Sequence, residues 1–146
     1  SKNFNLPVQI FRLSGIYSDE NNVIKRLKKN TVKLIEKKNQ YFSRIHIEDI
    51  AKILTLSLNN FKSGQVFNIS DDYPSTNYEI IKYATNLINI DMPPKIKLVN
   101  HTNSIIKDFY KDSKKISNKK MKIFFKYELK YPTFKEGLRN IRDNIV

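Results

Sequence analysis

The chain contains no cysteine and only three glycines among its 146 residues. The absence of cysteine excludes disulfide bonds, thiolate metal sites and cysteine nucleophiles. No stretch approaches the roughly 18 consecutive apolar residues that a membrane-spanning helix needs. The first residues also lack the charged-then-apolar pattern of a secretory signal. We therefore expect a cytoplasmic protein that does not associate with a membrane.

The length and composition indicate one folded unit. Apolar residues make up 40% of the sequence and are spread along it, which argues against extended disorder. A chain of 146 residues is long enough for one domain with a real core and small for two. We predict a single domain over residues 1–146.

The formal charge of +13 comes almost entirely from lysine, with 22 lysines against five arginines. Lysine, isoleucine and asparagine share A/T-rich codons, so genome composition accounts for such an excess. Specific nucleic-acid readers use arginine forks and exposed aromatics in a defined module, and no such module is recognisable. We interpret the lysines as a solvated coat and do not expect nucleic acid as a partner. An anion-binding surface remains the alternative for one cluster, formed by Lys114, Lys115, Lys119, Lys120 and Lys122.

Apolar periodicity and turn residues predict alternating strands and helices. Buried-type strands are predicted over 7–13 and 65–69, a third short strand over 96–99, and a loop over 14–22. Helices are predicted over 23–29, 47–59, 76–89 and 118–125, and again after Pro132. This order predicts an α/β fold.

Two capping boxes mark helix starts. Thr76 with Glu79 and Thr133 with Glu136 follow the S/T-x-x-E pattern, in which each side chain bonds to the other residue's backbone amide. Ser117 is predicted to cap the helix over 118–125. We assign these residues structural roles.

Four motifs follow one another in register: RLSGIY (12–17), SRIHIEDIA (43–51), VFNISDDYPS (66–75) and YPTFKEGL (131–138). Together they resemble the carboxy-terminal half of the NAD-dependent epimerase/dehydratase family of short-chain dehydrogenases. Each motif alone is weak evidence for the family, whereas four motifs in order and with the family's spacing are strong evidence. The resemblance implies a partial Rossmann-like parallel sheet with helices, carrying the substrate-side lobe of such an enzyme.

The nucleotide-binding half of that family has no counterpart in this sequence. Its dinucleotide loop needs clustered glycines for a tight turn against the pyrophosphate, whereas Gly15, Gly64 and Gly137 are far apart. The resemblance implies NAD or NADP as cofactor of a full-length protein and none for this chain alone. It also implies a partner, either the missing nucleotide-binding half, in the same or a separate chain, or a second copy.

The Tyr-x-x-x-Lys pattern of the family's catalytic pair occurs three times, starting at Tyr78, Tyr110 and Tyr131. None precedes the Arg12 motif, where the resemblance would place the catalytic pair. With eight tyrosines and frequent lysines, about one match is expected by chance. We predict no catalytic residue in this chain.

Departures from the family pattern concern the substrate. In nucleotide-sugar members an asparagine stands where this chain has Gly15, and a phosphate-binding arginine stands where it has Phe42. A phenyl ring cannot imitate an arginine fork. Ser18 and Asp19 also replace the usual Gly-Pro. We expect a small-molecule substrate other than a nucleotide sugar.

The candidate site residues follow from strand ends and the resemblance. The carboxyl ends of strands form the ligand edge of open α/β sheets, so Ser14 and Gly15 are predicted beside the cofactor. Tyr17, Arg44, His46 and Asp49 are predicted in the substrate pocket, and no metal site is predicted.

Structural roles remain the alternative for three of these residues. His46 and Asp49 could cap the helix over 47–59 and tie neighbouring loops. Arg44 could pair with Glu48 or Asp49, and Arg12 could satisfy strand-end carbonyls.

Three functions stay open at this point. The first is the substrate-side part of an NAD(P)-dependent epimerase/dehydratase-like oxidoreductase, with no turnover on its own. The second is a non-catalytic scaffold or partner-binding remnant. The third is a polyanion or nucleic-acid binder, motivated only by the lysine excess.

Overall fold

A computed structural model describes residues 6–97, 108 and 110–145. The strands are β1 (Ile10–Leu13), β2 (Gly15–Tyr17), β3 (Leu34–Glu36), β4 (Arg44–His46), β5 (Val66–Ile69) and β6 (Lys95–Lys97). The helices are α1 (Val23–Lys28), α2 (Ile47–Asn59), α3 (Asn77–Leu87), α4 (Lys119–Phe125) and α5 (Phe134–Ile145). The strands form three parallel pairs, β1 with β5, β2 with β4 and β3 with β6. The predicted α/β class is confirmed, with the sheet divided into three pairs.

Strands β1 and β2 form one extended stretch that changes its pairing partner at Ser14. The Ser14 amide donates to the carbonyl of Ile69, at the end of β5, over 3.0 Å. The next amide, that of Gly15, donates to the carbonyl of Ser43, just before β4, over 3.1 Å. The sheet therefore forks at Ser14.

One hydrophobic core lies on a single face of the β1–β5 pair, beneath α2 and α4. Side chains alternate along a strand, so Phe67 and Ile69 point into this core while Asn68 is exposed. The ring of Phe11 stacks on the rings of both Phe67 and Phe125. The members with almost no exposed surface are Ile45, Ile53, Phe67, Ile69 and Met121.

A second core joins α1, α3 and α5 with β3. Ile24, Ala84 and Ile141 are fully or almost fully buried where the three helices meet. The capping box of Thr76 and Glu79 opens α3, with both reciprocal hydrogen bonds present. Residues of this second core also line the cleft described below, so their packing fixes one of its walls.

The helices predicted from the sequence are confirmed, with some ends shifted by one or two residues. Ser117 does not cap α4, because the N-cap residue is Asn118 and its side chain makes no cap bond. The predicted loop over 14–22 contains β2 instead, since pairing with β4 decides its structure. The predicted strand over 96–99 overlaps β6 in part, and residues 98 and 99 lie outside the described residues.

The first strand was predicted to be buried, and this is wrong. Ile10 and Leu13 keep 47% and 46% of their surface exposed. In the described part of the chain, β1 pairs on one side only, with β5. Ile10, Arg12 and Asn68 lie on the face of this pair opposite the core, where they are exposed. The pair therefore has an open edge and an uncovered, partly apolar face.

Phe67 provides a test of the first core. Replacing Phe67 with Ala should destabilise the chain by about 3–5 kcal/mol, because the phenyl ring is fully buried and leaves a cavity. Ile123→Ala on α4 is the matched control, since Ile123 is 76% exposed. Urea unfolding followed by circular dichroism measures both. Equal losses in the two variants would contradict this packing.

Candidate functional site

An open cleft of about 530 Å³ lies at the fork, beside the second core. Ser14, Gly15 and Tyr17 contribute one wall, at the carboxyl end of β1 and along β2. Arg44, at the start of β4, contributes another. The structure thus brings together four of the six predicted site residues. His46 and Asp49 lie behind the cleft and do not line it.

Arg44 is fixed in place by neutral oxygen atoms rather than by a carboxylate. Its Nη1 donates to Oγ of Ser75 over 2.8 Å and to the carbonyl of Phe42 over 3.2 Å. Its Nη2 donates to Oδ1 of Asn77 over 3.0 Å. The predicted alternative, a pair with Glu48 or Asp49, does not form. The guanidinium is oriented by β4 and by the start of α3.

The ring of Tyr17 packs edge-on against the buried ring of His46. Its hydroxyl makes no hydrogen bond with a described residue, although the atom is buried. Burial raises the pKa of Tyr17 above its ordinary value, and the carboxylates of Asp71 and Asp49 raise it further. A Cβ atom at Gly137 would overlap the Tyr17 hydroxyl and ring. Only glycine at this position of α5 leaves room for the tyrosine.

His46 acts as the N-cap of α2. Its Nδ1 accepts from the amide of Glu48 over 3.3 Å, and its ring lies between Tyr17 and Tyr131, with centroids 5.0 and 4.1 Å away. Its Nε2 is buried and makes no hydrogen bond with a described residue. Burial lowers the pKa of His46, opposed by the negative charge of Glu48. The neutral imidazole is therefore favoured.

Asp49 ties α2 to the segment before α5. Its carboxylate is fully buried. It accepts from the Tyr127 hydroxyl over 2.7 Å and from the amides of Lys130 and Tyr131 over 2.8 and 3.1 Å. Three donors satisfy the charge inside the protein. In this conformation, its carboxylate is engaged by protein donors.

Asp71, in the VFNISDDYPS motif, is a buried acid that was not among the predicted site residues. It is 1% exposed. Oδ1 accepts from the Tyr73 amide over 3.2 Å, while Oδ2 makes no hydrogen bond with a described residue. Burial raises the pKa of Asp71 to about 7, although the Tyr73 amide and Arg44 oppose the shift. The only signal in the sequence is its place directly after a buried strand.

Ser14 and Phe42 also line the cleft. The Ser14 hydroxyl is buried and makes no hydrogen bond with a described residue. Phe42 lines the cleft and packs edge-on against Tyr110 at 5.3 Å. An aromatic wall therefore stands where the resemblance expects a phosphate-binding arginine in nucleotide-sugar members.

Of the three Tyr-x-x-x-Lys tyrosines, Tyr110 and Tyr131 are buried and Tyr78 is exposed. Tyr78 is exposed on α3, with the Lys82 ammonium 5.8 Å from its ring centroid. Over the described residues, no group of three or more histidine, aspartate and glutamate side chains could hold a metal ion. No helix within those residues is long and apolar enough to cross a membrane.

Comparisons with known proteins identify the fold. No family model matches the sequence, and no curated protein matches it. A functionally unknown conserved protein from Silicibacter pomeroyi is 34% identical, with a TM-score of 0.91 over 97% of this chain and 50% of its own. The chain spans about half the length of the solved structures that it resembles.

Two enzymes of known activity are more distant. The dTDP-glucose 4,6-dehydratase of Bacillus anthracis, in complex with NAD, is 22% identical, with a TM-score of 0.73 over 97% of this chain and 45% of its own. The UDP-glucuronic acid 4-epimerase of Bacillus cereus, in complex with UDP-glucuronic acid and NAD, is 18% identical, with a TM-score of 0.74 over 99% and 46%. The chain therefore has the Rossmann-like fold of NAD-dependent epimerases and dehydratases.

Asp71 should make stability depend on pH. Because its folded-state pKa of about 7 lies above the ordinary 3.8, the folded chain holds a proton that the unfolded chain releases. This contribution is complete below about pH 4 and is lost as the pH rises towards 7. His46 acts in the opposite direction, since burial lowers its pKa. Urea unfolding between pH 4 and 8 should show that Asp71→Asn removes the loss at higher pH. An unchanged difference between variant and wild type across this range would contradict the assignment.

Proposed function

We propose that this chain is the substrate-side, carboxy-terminal part of an NAD(P)-dependent epimerase/dehydratase-like oxidoreductase and is inactive alone. The observation that supports this most is the cleft at the fork of the parallel strands. Its walls carry Ser14, Gly15, Tyr17 and Arg44, all from motifs that resemble the family. The cleft lies at the carboxyl end of β1, where open α/β sheets bind ligands.

The division of labour follows from the residues that are present. The nicotinamide of NAD or NADP would supply the hydride chemistry, and the nucleotide-binding half would hold it. In this chain, Ser14 and Gly15 are positioned to approach the cofactor from the substrate side. Tyr17 and Arg44 would orient the substrate, while His46 and Asp49 hold the pocket wall from behind.

The open edge of β1 supports the need for a second half. An unpaired strand edge recruits another strand, and β1 offers such an edge next to exposed apolar side chains. On α2 the exposed apolar residues recur at helical spacing, at Ile47, Leu54 and Leu58. Contact with a nucleotide-binding half, in the same or a separate chain, would cover both surfaces.

A partner-binding scaffold is the second candidate. The same exposed edge and helix face support it, because they favour association whether or not a cofactor takes part. The two functions differ in one respect. Only the oxidoreductase role requires that a cofactor and a substrate meet at the cleft.

Cofactor titration tests the proposed function. Isothermal titration of NAD and NADP into the chain alone should give no binding, because no glycine-rich loop is present to hold the pyrophosphate. Addition of a nucleotide-binding half with the glycine-rich loop and the Tyr-x-x-x-Lys helix should give a stoichiometric complex that binds one of the two. Stoichiometric binding to the chain alone would overturn the proposal.

Light scattering tests the exposed surface. The isolated chain should self-associate, and Leu54→Lys with Leu58→Lys should reduce the associated fraction by placing charge on that surface. Leu58 is 82% exposed, so the fold should tolerate its change. Ile123→Lys, on an isolated exposed position of α4, is the control and should leave association unchanged. A clean wild-type monomer on gel filtration would count against the partner surface.

A further inference from the structure

We propose that Arg26 and Arg44 together hold an oxyanion group, a carboxylate or a phosphate, of the small-molecule substrate in the cleft. This inference rests on the proposed function and names the chemistry of its substrate. Arg26, on α1, was not among the residues predicted from the sequence. Both arginines line the cleft, Arg26 from α1 and Arg44 from β4.

Charge balance at the cleft supports the proposal. Three further charged residues line it, and each of these is in an ion pair. Asp112 pairs with Lys114 over 2.9 Å, and Asp108 pairs with Lys111 over 2.6 Å. Neither arginine forms an ion pair with a carboxylate of a described side chain. Two guanidinium groups thus face one cleft without a bound counter-charge.

The electrostatics of Arg44 agree with this arrangement. Burial lowers its pKa, Asp71 opposes that shift, and the positive charge of Arg26 lowers the pKa further. The two cations therefore repel each other across the cleft. An anion between them would relieve the repulsion. The Asp71 carboxyl does not serve as that anion, because it forms no ion pair with Arg44 and its pKa is raised to about 7.

Hydrogen-bond donors without a described acceptor also support the oxyanion site. The hydrogen bonds of Arg44 involve only Nη1 and Nη2, so its Nε–H has no acceptor among the described residues. The Ser14 hydroxyl is also without a described partner. A guanidinium offers planar, paired donors that match an oxyanion.

The orientation of Arg26 is set by the start of α1. The Asn22 side chain caps the helix, accepting from the Lys25 amide over 2.9 Å and donating to the carbonyls of Ser18 and Asp19, each over 2.9 Å. Asn22 is 2% exposed, so this turn is rigidly held against the core. The exposed Arg26 side chain therefore projects from a fixed backbone beside the cleft.

The test uses the isotopically labelled chain and two probes, inorganic phosphate and acetate, at constant ionic strength. Arginine Nε–Hε resonances of residues 26 and 44 should shift and saturate with one or both probes. Arg26→Gln should weaken binding by about tenfold or more, because it removes a charge-assisted hydrogen bond. Arg12→Gln is the matched control, an exposed arginine outside the cleft, and should leave binding unchanged. Arg44→Lys, which keeps the charge and loses the fork, should also weaken binding.

Equal weakening in Arg12→Gln and Arg26→Gln would overturn the proposal, since it would mark a general attraction to the cationic surface. The absence of any saturable shift with either probe would overturn it as well. Saturation by phosphate alone or acetate alone would support it and identify the group. If neither probe binds but the two halves together bind a cofactor, only the oxyanion site is rejected. Oxyanion binding without cofactor binding would reject the oxidoreductase role.

Discussion

The change of hydrogen-bonding partner at Ser14 is the constraint on which the rest of the structure depends. One extended stretch pairs first with β5 and then with β4, so the sheet opens where the pairing changes. Arg44 from β4 and Tyr17 from β2 line the opening, and side chains of the second core close one of its sides. A residue without a backbone amide at position 14 or 15 would remove one of the two bonds that define the fork.

A small set of buried polar groups lies behind this opening. Asp71, His46 and the Tyr17 hydroxyl are each buried with one polar atom that has no described hydrogen-bond partner. Burial without a partner costs free energy, so the two cores must compensate for it. Arg44, beside them, is held through Nη1 and Nη2 by four contacts with neutral acceptors. The chain thus maintains a polar interior beside the cleft at the expense of stability.

Short-range sequence patterns predicted the helices well. The helix start at Thr76 has both reciprocal bonds with Glu79, three residues on. At Thr133 the amide donates to Glu136 as predicted, but the hydroxyl accepts from the amide of Lys135, two residues on. Strand β2 was missed, because its pairing with β4 joins residues far apart in sequence. Asp71 and Arg26 were missed for a related reason. A carboxylate in a turn and an arginine in a lysine-rich helix look solvated until the tertiary fold shows what each one faces.

Tyr17 and Gly137 come from motifs far apart in the sequence, and their contact makes the size allowed at one position depend on the size at the other. Because a Cβ at position 137 would meet ring carbons as well as the hydroxyl, Tyr17→Phe would not make room for it. Homologues that carry a larger residue at position 137 should therefore carry a side chain smaller than an aromatic ring at position 17. The larger side chain at position 137 would fill the space that the smaller one at position 17 leaves, so the two positions should vary together in opposite directions of size.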